Sequence, residues 1–593
     1  MRAATSPETI PARLFDLAER QPHRPAYHVR EDGVWRATSY GDYAAEVRQA
    51  ARALVALGFE AGENVAILGF NRPEWTVFNL AAMAAGGAAA GIYTTCSPEE
   101  VQYIVHHAEA HIVLVENEHQ RAKIEARQDQ LPGLRHVITM RGATSHADAL
   151  GWDDFLAKGS DAAEGVLDER LASIAPESLA TLIYTSGTTG PPKGVMLSHA
   201  NLTWTASAAV DLVGLTPDDC MLSYLPLSHI AEQMFSIHGP ISAGASIYFA
   251  RSLETVPEDL KEVQPTVFFG VPRIWEKFHN GIAAKLADAE GPKAKLVAWA
   301  QHVGREAMSA RQAGRPLGLA LTLQHRVADK LIYSKLKPAI GLGRARICVT
   351  GAAPISAEVL EFFAGLDLLV LEVYGQSEGS GPTSFNREER FRFGTVGPAI
   401  PGTEVRLGDD DEILMRGPNV FLGYFKDEAA TKATLDEEGF LHSGDLGAFE
   451  GPFLKIIGRK KEIIVTAGGK NIAPKNLEAA FKDSPLVGEC VVIGDRRKFL
   501  SALVALDPDG AARFAEAEGD DLATLHESRK LRNALQQHLD AMNAKFARVE
   551  QLKKFTVLPR PLDVEHGELT PTLKVKRRRV AENWADTIEA MYA

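Results

Sequence analysis

Residues 184–202 read YTSGTTGPPKGVMLSHANL, an apolar run that opens into hydroxyls and glycines and closes on a lysine. Gly187 and Gly190 let successive backbone N–H groups turn toward an anion. The hydroxyls of Thr185, Ser186, Thr188 and Thr189 add donors, and Lys193 adds charge. This is phosphate-holding chemistry, although the spacing differs from the G-x-x-x-x-G-K-[ST] loop of P-loop NTPases. A rival chemistry stands at Gly375-Gln376-Ser377-Glu378-Gly379, which satisfies G-x-S-x-G after an apolar run, as at the nucleophile elbow of a serine hydrolase. Asp445 and His566 follow in the chain order such an enzyme uses, but no HGGG-type oxyanion loop accompanies them. Other polar residues say little singly. A lone His229 is more often structural, Tyr374 suits a core and Asp445 a turn, and Lys574 sits in a basic run with Lys576, Arg577, Arg578 and Arg579 that reads as a solvated face.

Such residues need elements to hold them. Short β-rich runs at 64–70, 112–117, 180–187, 246–250, 266–272, 345–351 and 368–375 alternate with helical segments, which predicts parallel α/β layers. In doubly wound sheets ligands bind beyond the carboxyl ends of the strands, where the loops just named lie. Ala, Leu, Lys, Arg and Gln dominate 275–342 and predict a helical insertion, whereas crowded turn residues at 394–457 predict a small antiparallel sheet or barrel. The mostly Ala and Gly stretch 80–93 is too short to span a bilayer and predicts a core helix. The charged GRKKE at 458–462 interrupts two apolar runs and marks a boundary before a separate unit, 461–593.

At about 150 residues per unit, a chain of 593 allows about four structural units. Apolar residues at 45% and charged ones at 24% suit a globular protein and exclude disordered, collagenous and coiled-coil chains. The net charge of −13 disfavours a general nucleic-acid coat. Cys96, Cys220, Cys348 and Cys490 form no C-x-x-C pair and read as buried, reduced thiols. With no apolar run behind Arg2, the expectation is a cytoplasmic protein whose membrane contact, if any, is peripheral and made through the helical insertion.

Six elements in fixed order carry a resemblance: the 184–202 stretch, GAAP at 351–354, YGQSE at 374–378, SGDLG at 443–447, GRKKEIIVTAGGKNIAP at 458–474 and ELTPTLKVKRR at 568–578. Together they resemble the acyl-adenylate-forming (AMP-binding) enzyme superfamily, and within it the long-chain fatty-acid CoA ligases. LPLSHIAEQ at 225–233, VPRIWEK at 271–277 and the helical insertion are similar to the long-chain members.

The resemblance implies an α/β fold: an N-terminal body, 1–460, of doubly wound α/β subdomains plus a small β-barrel, and a smaller mobile α+β C-terminal lid, 461–593. It implies an acid–thiol ligase in which a carboxylate attacks the α-phosphate of ATP and a CoA thiol then displaces AMP. Fatty acid, ATP and CoA would be its substrates, Mg²⁺ its metal, and nucleic acid no partner; an aromatic or medium-chain acid stays open. By the same resemblance the loop from Thr185 to Lys193 cradles phosphates, and Glu378 holds Mg²⁺ with Thr185. Tyr374 stacks on adenine beside Gly351, Ala352, Ala353, Pro354, Gly375 and Ser377, while Asp445 and Arg459 hold the ribose. Lys461 is the hinge, Lys574 bridges carboxylate and α-phosphate, and His229 stands at the carboxylate end of the acyl pocket. Departures are few: Ser377 and Ser443 stand where Thr is commoner, Gly458 where Asp is frequent, and Ala352 where a second Gly is common.

Overall fold

The computed structural model describes residues 8–144, 146–185, 191–287, 290–468, 470–570 and 574–593. An eight-stranded sheet is built around the parallel strands Asn64–Leu68, Ala88–Ile92, Ala110–Val115 and Leu179–Thr185, and the antiparallel Lys193–Ser198 pairs with the last of these. Their runs of Val, Ile, Leu and Ala are buried on both faces, as a helix-covered parallel sheet requires. A second sheet orders Val267–Gly270, Ile347–Thr350, Val370–Gln376 and Gly381–Phe385, the first three parallel. All seven β-rich runs read from the sequence contain strands of these or of a further four-stranded sheet holding Ser246–Phe249.

The turn-rich region is a four-stranded antiparallel sheet of Glu404–Leu407, Glu412–Arg416, Leu441–Glu450 and Phe453–Arg459. After the short turn Lys460–Glu462, the strands Val487–Ile493, Leu500–Leu506 and Leu552–Val557 pack with the helices Pro474–Phe481 and Arg529–Asn543 around Leu477, Phe481, Val504, Leu531 and Leu535. This core is distinct from that of the preceding sheets. The 275–342 region holds Pro272–Ala287, Gly291–Gln312 and a helical rod from Leu319 to Ala339 whose middle turn, Asp329–Tyr333, is a π-helix.

The stretch 80–93 is not one core helix. The helix Pro73–Ala84 ends, and after a turn the chain continues as the buried strand Ala88–Ile92. Gly86 has φ of +87°, and a Cβ on Gly87 would lie 2.3 Å from the Glu63 carbonyl oxygen, so the glycine pair both breaks the helix and lets the backbones meet. Alanine is the strongest helix former and is depleted in strands, which is why composition alone misreads this segment.

Candidate active site

The strands Leu179–Thr185, Val267–Gly270, Ile347–Thr350 and Val370–Gln376 end beside one cavity of about 1370 Å³. That exceeds the roughly 300–1,000 Å³ of a site for one drug-sized ligand. Its walls include Thr185, Lys193, His229, Gly351, Ala352, Ala353, Pro354, Tyr374, Gly375, Ser377, Glu378, Asp445, Arg459, Lys461 and Lys574, so the fold brings together every candidate that it describes. Ser186, Gly187, Thr188, Thr189 and Gly190 lie outside the described residues.

Antiparallel pairing sets Thr185 opposite Lys193 and Asp445 opposite Arg459. Arg459 donates from Nε to Asp445 Oδ1 at 3.1 Å, and the Tyr374 hydroxyl donates to Oδ2 at 2.7 Å. Burial nonetheless pushes the Asp445 carboxyl upward against the pull of Arg459, and burial raises the Tyr374 phenol with help from the Asp445 charge. A bulge between Tyr374 and Gly375 turns the strand into the short turn Ser377–Gly379. There Glu378 Oε1 accepts from the Tyr424 hydroxyl at 2.8 Å, and the Lys193 ammonium lies 4.7 Å from the centre of the Tyr424 ring. Tyr424 thereby links the lysine of the hydroxyl-rich loop to the carboxylate of YGQSE. Sequence reasoning missed it; its only signal was a tyrosine in the apolar run 420–425.

Ala352, standing where a second glycine is common, adopts φ of +67°, a left-handed conformation that costs a side-chain-bearing residue about 1 kcal/mol. A Cβ on Gly351 would lie 2.6 Å from Val373, so that glycine marks a close approach of the two strands.

Lys574 enters the cavity from the C-terminal unit. Although solvent in the cavity reaches it, the surrounding protein lowers its pKa by desolvation, then by the like charges of Arg459 and Lys475, while Asp445 and Glu378 oppose the shift. His229 caps the helix Ile230–Gln233, accepting from the Ala231 N–H at 3.1 Å. Burial, aided by Lys574, takes its pKa down to about 4, so it is neutral at pH 7.

The turn behind His229 is locked by a buried carboxyl. Glu232 Oε1 accepts from Ser236 at 2.6 Å, Ser223 at 2.7 Å and Asn71 at 3.2 Å. Desolvation pushes Glu232 up to about 8, and Glu372 in the cavity wall likewise. A carboxyl whose pKa is raised on folding stabilises fully below its unfolded value, near 4.3, and that contribution is lost as pH rises through 8. The urea midpoint of unfolding is therefore expected to fall from pH 6 to pH 9, and Glu232→Gln to fall less, Glu372 supplying the remainder. Equal falls in both proteins would disprove the assignment.

The hydrolase reading fails on geometry. His566 is hydrogen-bonded to Asp563 at 2.8 Å, Asp445 is held by Tyr374 and Arg459, and among the described residues no histidine bonds to Ser377. Ser377 opens a single short turn where a nucleophile elbow leads into a helix.

Away from these polar groups the cavity walls become apolar: Ala209, Val210, Leu212 and Val213 of the helix His199–Val213, then Met234, Phe235, Pro240, Val267 and Phe269. The Phe235 and Phe269 rings stack at 4.8 Å. Among the described residues no group of three or more His, Cys, Asp or Glu forms a ready metal site. Glu378 instead offers one carboxylate at the cavity, which suits a cation that arrives with phosphate oxygens of its own.

Residues 14–425 match the family model "AMP-binding enzyme", and 461–593 match "AMP-binding enzyme C-terminal domain". The long-chain-fatty-acid–CoA ligase ACSBG2 of Xenopus laevis is 38% identical over 100% of this chain and 84% of that protein. The human ACSBG2 is 36% identical over 99% of this chain and 93% of its own length, and FadD15 of Mycobacterium bovis, a long-chain-fatty-acid–CoA ligase, is 35% identical over 99% and 97%. Among solved structures, the A domain of carboxylic acid reductase from Segniliparus rugosus, in complex with AMP and a co-purified carboxylic acid, shares the fold at a TM-score of 0.75 and 21% identity, covering 98% of this chain and 94% of that one. ATP-bound MatB from Rhodopseudomonas palustris matches at 0.69 and 25% identity, covering 98% and 99%.

Proposed function

Because the chain belongs to the AMP-binding enzyme family, we propose from its site that it is a long-chain fatty-acid CoA ligase, an AMP-forming acid–thiol ligase that uses ATP, Mg²⁺ and CoA. The observation that carries the chain-length reading is the continuity of the polar chamber around Lys574 and His229 with the apolar branch along Val210, Leu212, Met234 and Phe269. Each methylene buried there favours binding by about 0.8 kcal/mol, so affinity is expected to grow with acyl length until the branch is filled.

A carboxylate is a poor acyl donor because its oxygen is a poor leaving group. Its attack on the α-phosphorus of ATP forms a C–O–P anhydride and breaks the bond to pyrophosphate; attack of the CoA thiol on the carbonyl then expels AMP. Both steps concentrate negative charge, so the protein chiefly supplies positions and cations. In this reading Lys574 lies between the carboxylate and the α-phosphate, and neutral His229 borders the carboxylate without adding a charge. Asp445 and Arg459 take the ribose, Tyr374 faces the adenine beside 351–354, and Lys193 with Thr185 and the 186–190 loop takes the phosphates. Glu378, with Thr185, would hold the Mg²⁺ that accompanies ATP, whose chemistry is to neutralise the phosphates. Lys461, in the turn Lys460–Glu462 between the two cores, is the residue about which the C-terminal unit would rotate for thioester formation.

Release of AMP across fatty, medium-chain and aromatic acids, with and without CoA, tests the function. Turnover that requires CoA and rises toward long acyl chains is expected; a preference for aromatic acids would overturn the substrate class. The four described cysteines are buried free thiols, in keeping with a reducing cytoplasmic location. No described helix is long and apolar enough to cross a membrane.

A further inference from the structure

The helix that begins at Ile230 does not keep one register. Ile230–Gln233 is α-helical, Met234–His238 is a π-turn and Gly239–Ala243 is α-helical again, so that the Gly239 N–H donates to the Met234 carbonyl, one residue further back than an α-helix allows. At about 100° per residue, Ile230, Ala231, Met234 and Phe235 share one face, and all four line the cavity. Continued α-register would put residue 238 at the centre of that face. The extra residue of the π-turn displaces it: Gly239 and Pro240 line the cavity, and His238 does not.

His238 is instead fully buried, and neither of its ring nitrogens has a hydrogen-bond partner among the described residues. Burial, then the like charges of His199 and Arg13, takes its pKa down to about 3, so the ring is neutral and unsatisfied, an arrangement that folding disfavours unless something offsets it. The offset lies on the cavity side. In α-register the imidazole would project into the apolar branch beside Met234 and Phe235, where glycine projects nothing. Glycine is also what the turn requires: a Cβ on Gly239 would lie 2.8 Å from the Met234 carbonyl oxygen, the acceptor of the π-turn's own hydrogen bond. The same Cβ would stand 3.9 Å from Leu215 Cδ2, so Leu215, itself a wall residue, packs against the space that the missing side chain leaves.

We propose that Gly239 and Leu215 determine which acyl lengths the cavity accepts, the π-turn holding the bulk of His238 out of the branch. This rests on the long-chain reading above and adds to it the residues that set the length. A π-turn inserted into an α-helix recurs at functional sites because it exchanges which residue faces a ligand, and here the exchange is glycine for histidine on an apolar wall. Leu215 is then the adjustable part: trimming it deepens the space over Gly239, and enlarging it fills that space.

The ratio of kcat/KM for a long-chain to that for a medium-chain saturated acid, followed by AMP release with the full chain, tests this. Gly239→Ala takes from the π-turn its glycine and is expected to lower the ratio about tenfold or more as His238 swings into the branch, the equivalent of about two methylenes left unburied. His238→Ala alone should leave the ratio unchanged. Combined with Gly239→Ala it should restore the ratio toward the wild-type value, because an alanine then enters the branch where the histidine did; general damage at position 239 would show no such rescue. Leu215→Ala is expected to raise the ratio and Leu215→Trp to lower it, and this pair decides the matter if Gly239→Ala does not fold. A ratio unmoved by the Leu215 pair, or a fall in Gly239→Ala that His238→Ala does not relieve, would overturn the proposal. Failure of the long-chain reading would look different: the wild type itself would turn over no acid of the series, and both would fall.

Discussion

Lys574→Ala is expected to lower fatty-acid-dependent ATP–pyrophosphate exchange by about 10²–10³-fold, while transfer of a supplied acyl-adenylate to CoA survives. The ammonium is one of the charges the C-terminal unit brings into the cavity, close enough to Asp445 and Glu378 to feel both, in surroundings that desolvate it and thereby strengthen its pull on a developing phosphate charge. Its position is built in. The Lys574 N–H donates to Thr570 Oγ1 at 3.0 Å, its carbonyl accepts from the Thr570 N–H at 2.7 Å, and the Lys576 N–H donates to the Glu568 carbonyl at 2.7 Å. Glu568, fully buried, is clamped by both Arg560 terminal nitrogens, Asn583 and Trp584. The alanine variant should therefore fold as the wild type does, and its defect should fall on one half-reaction. Lys461→Pro is expected to give the mirror image, with adenylate formation retained and thioester formation lost, because proline stiffens the backbone where rotation would occur. Exchange that persists in Lys574→Ala would show the lysine to be one more solvated charge.

Replacement of Gly375 by alanine should damage both stability and catalysis. A Cβ there would sit 1.7 Å from the Gly381 carbonyl oxygen and 2.6 Å from its carbon, so two backbones, not a pliable side chain, must separate. Overpacking of this kind costs about 1–3 kcal/mol or more. The displacement falls between Tyr374, whose hydroxyl meets Asp445, and Glu378, whose carboxylate meets Tyr424. A lowered urea midpoint together with loss of AMP release is the expected result. Gly281→Ala is the matched control: it lies within the helix Pro272–Ala287 with nothing within 4 Å of the added methyl, and helix propensity favours alanine by about 1 kcal/mol. Normal stability in Gly375→Ala would mean that the two strands do not approach as closely as described.

Much of the architecture was legible because each strand is a compact run of Val, Ile, Leu or Ala between turn residues, as in 345–351, and local pattern is what sets strand or helix. The 80–93 stretch was not, since its alanines favour helix by propensity and the break rests on the left-handed Gly86 and the close approach of Gly87 to Glu63. The chemical residues were named largely by the order of their motifs. Taken by type alone, Tyr374, Asp445 and Lys574 read as core, turn and solvated face, and Ser377 as a rival nucleophile.

The sequence by itself determined the inventory: which side chains could hold phosphate, carry a proton-free carboxylate or bring a cation, and which runs would be strands. Only the tertiary structure decided their company. It set Tyr424 against Glu378, 46 residues away, engaged Asp445 with Tyr374 and Arg459, bonded no histidine to Ser377 among the described residues, buried Glu232 until its carboxyl titrates near 8, and left the side chains of Leu319 and Leu323 exposed. The physical reason is that desolvation and Coulomb interaction depend on distance through space, and separation along the chain carries no such information until the backbone has folded.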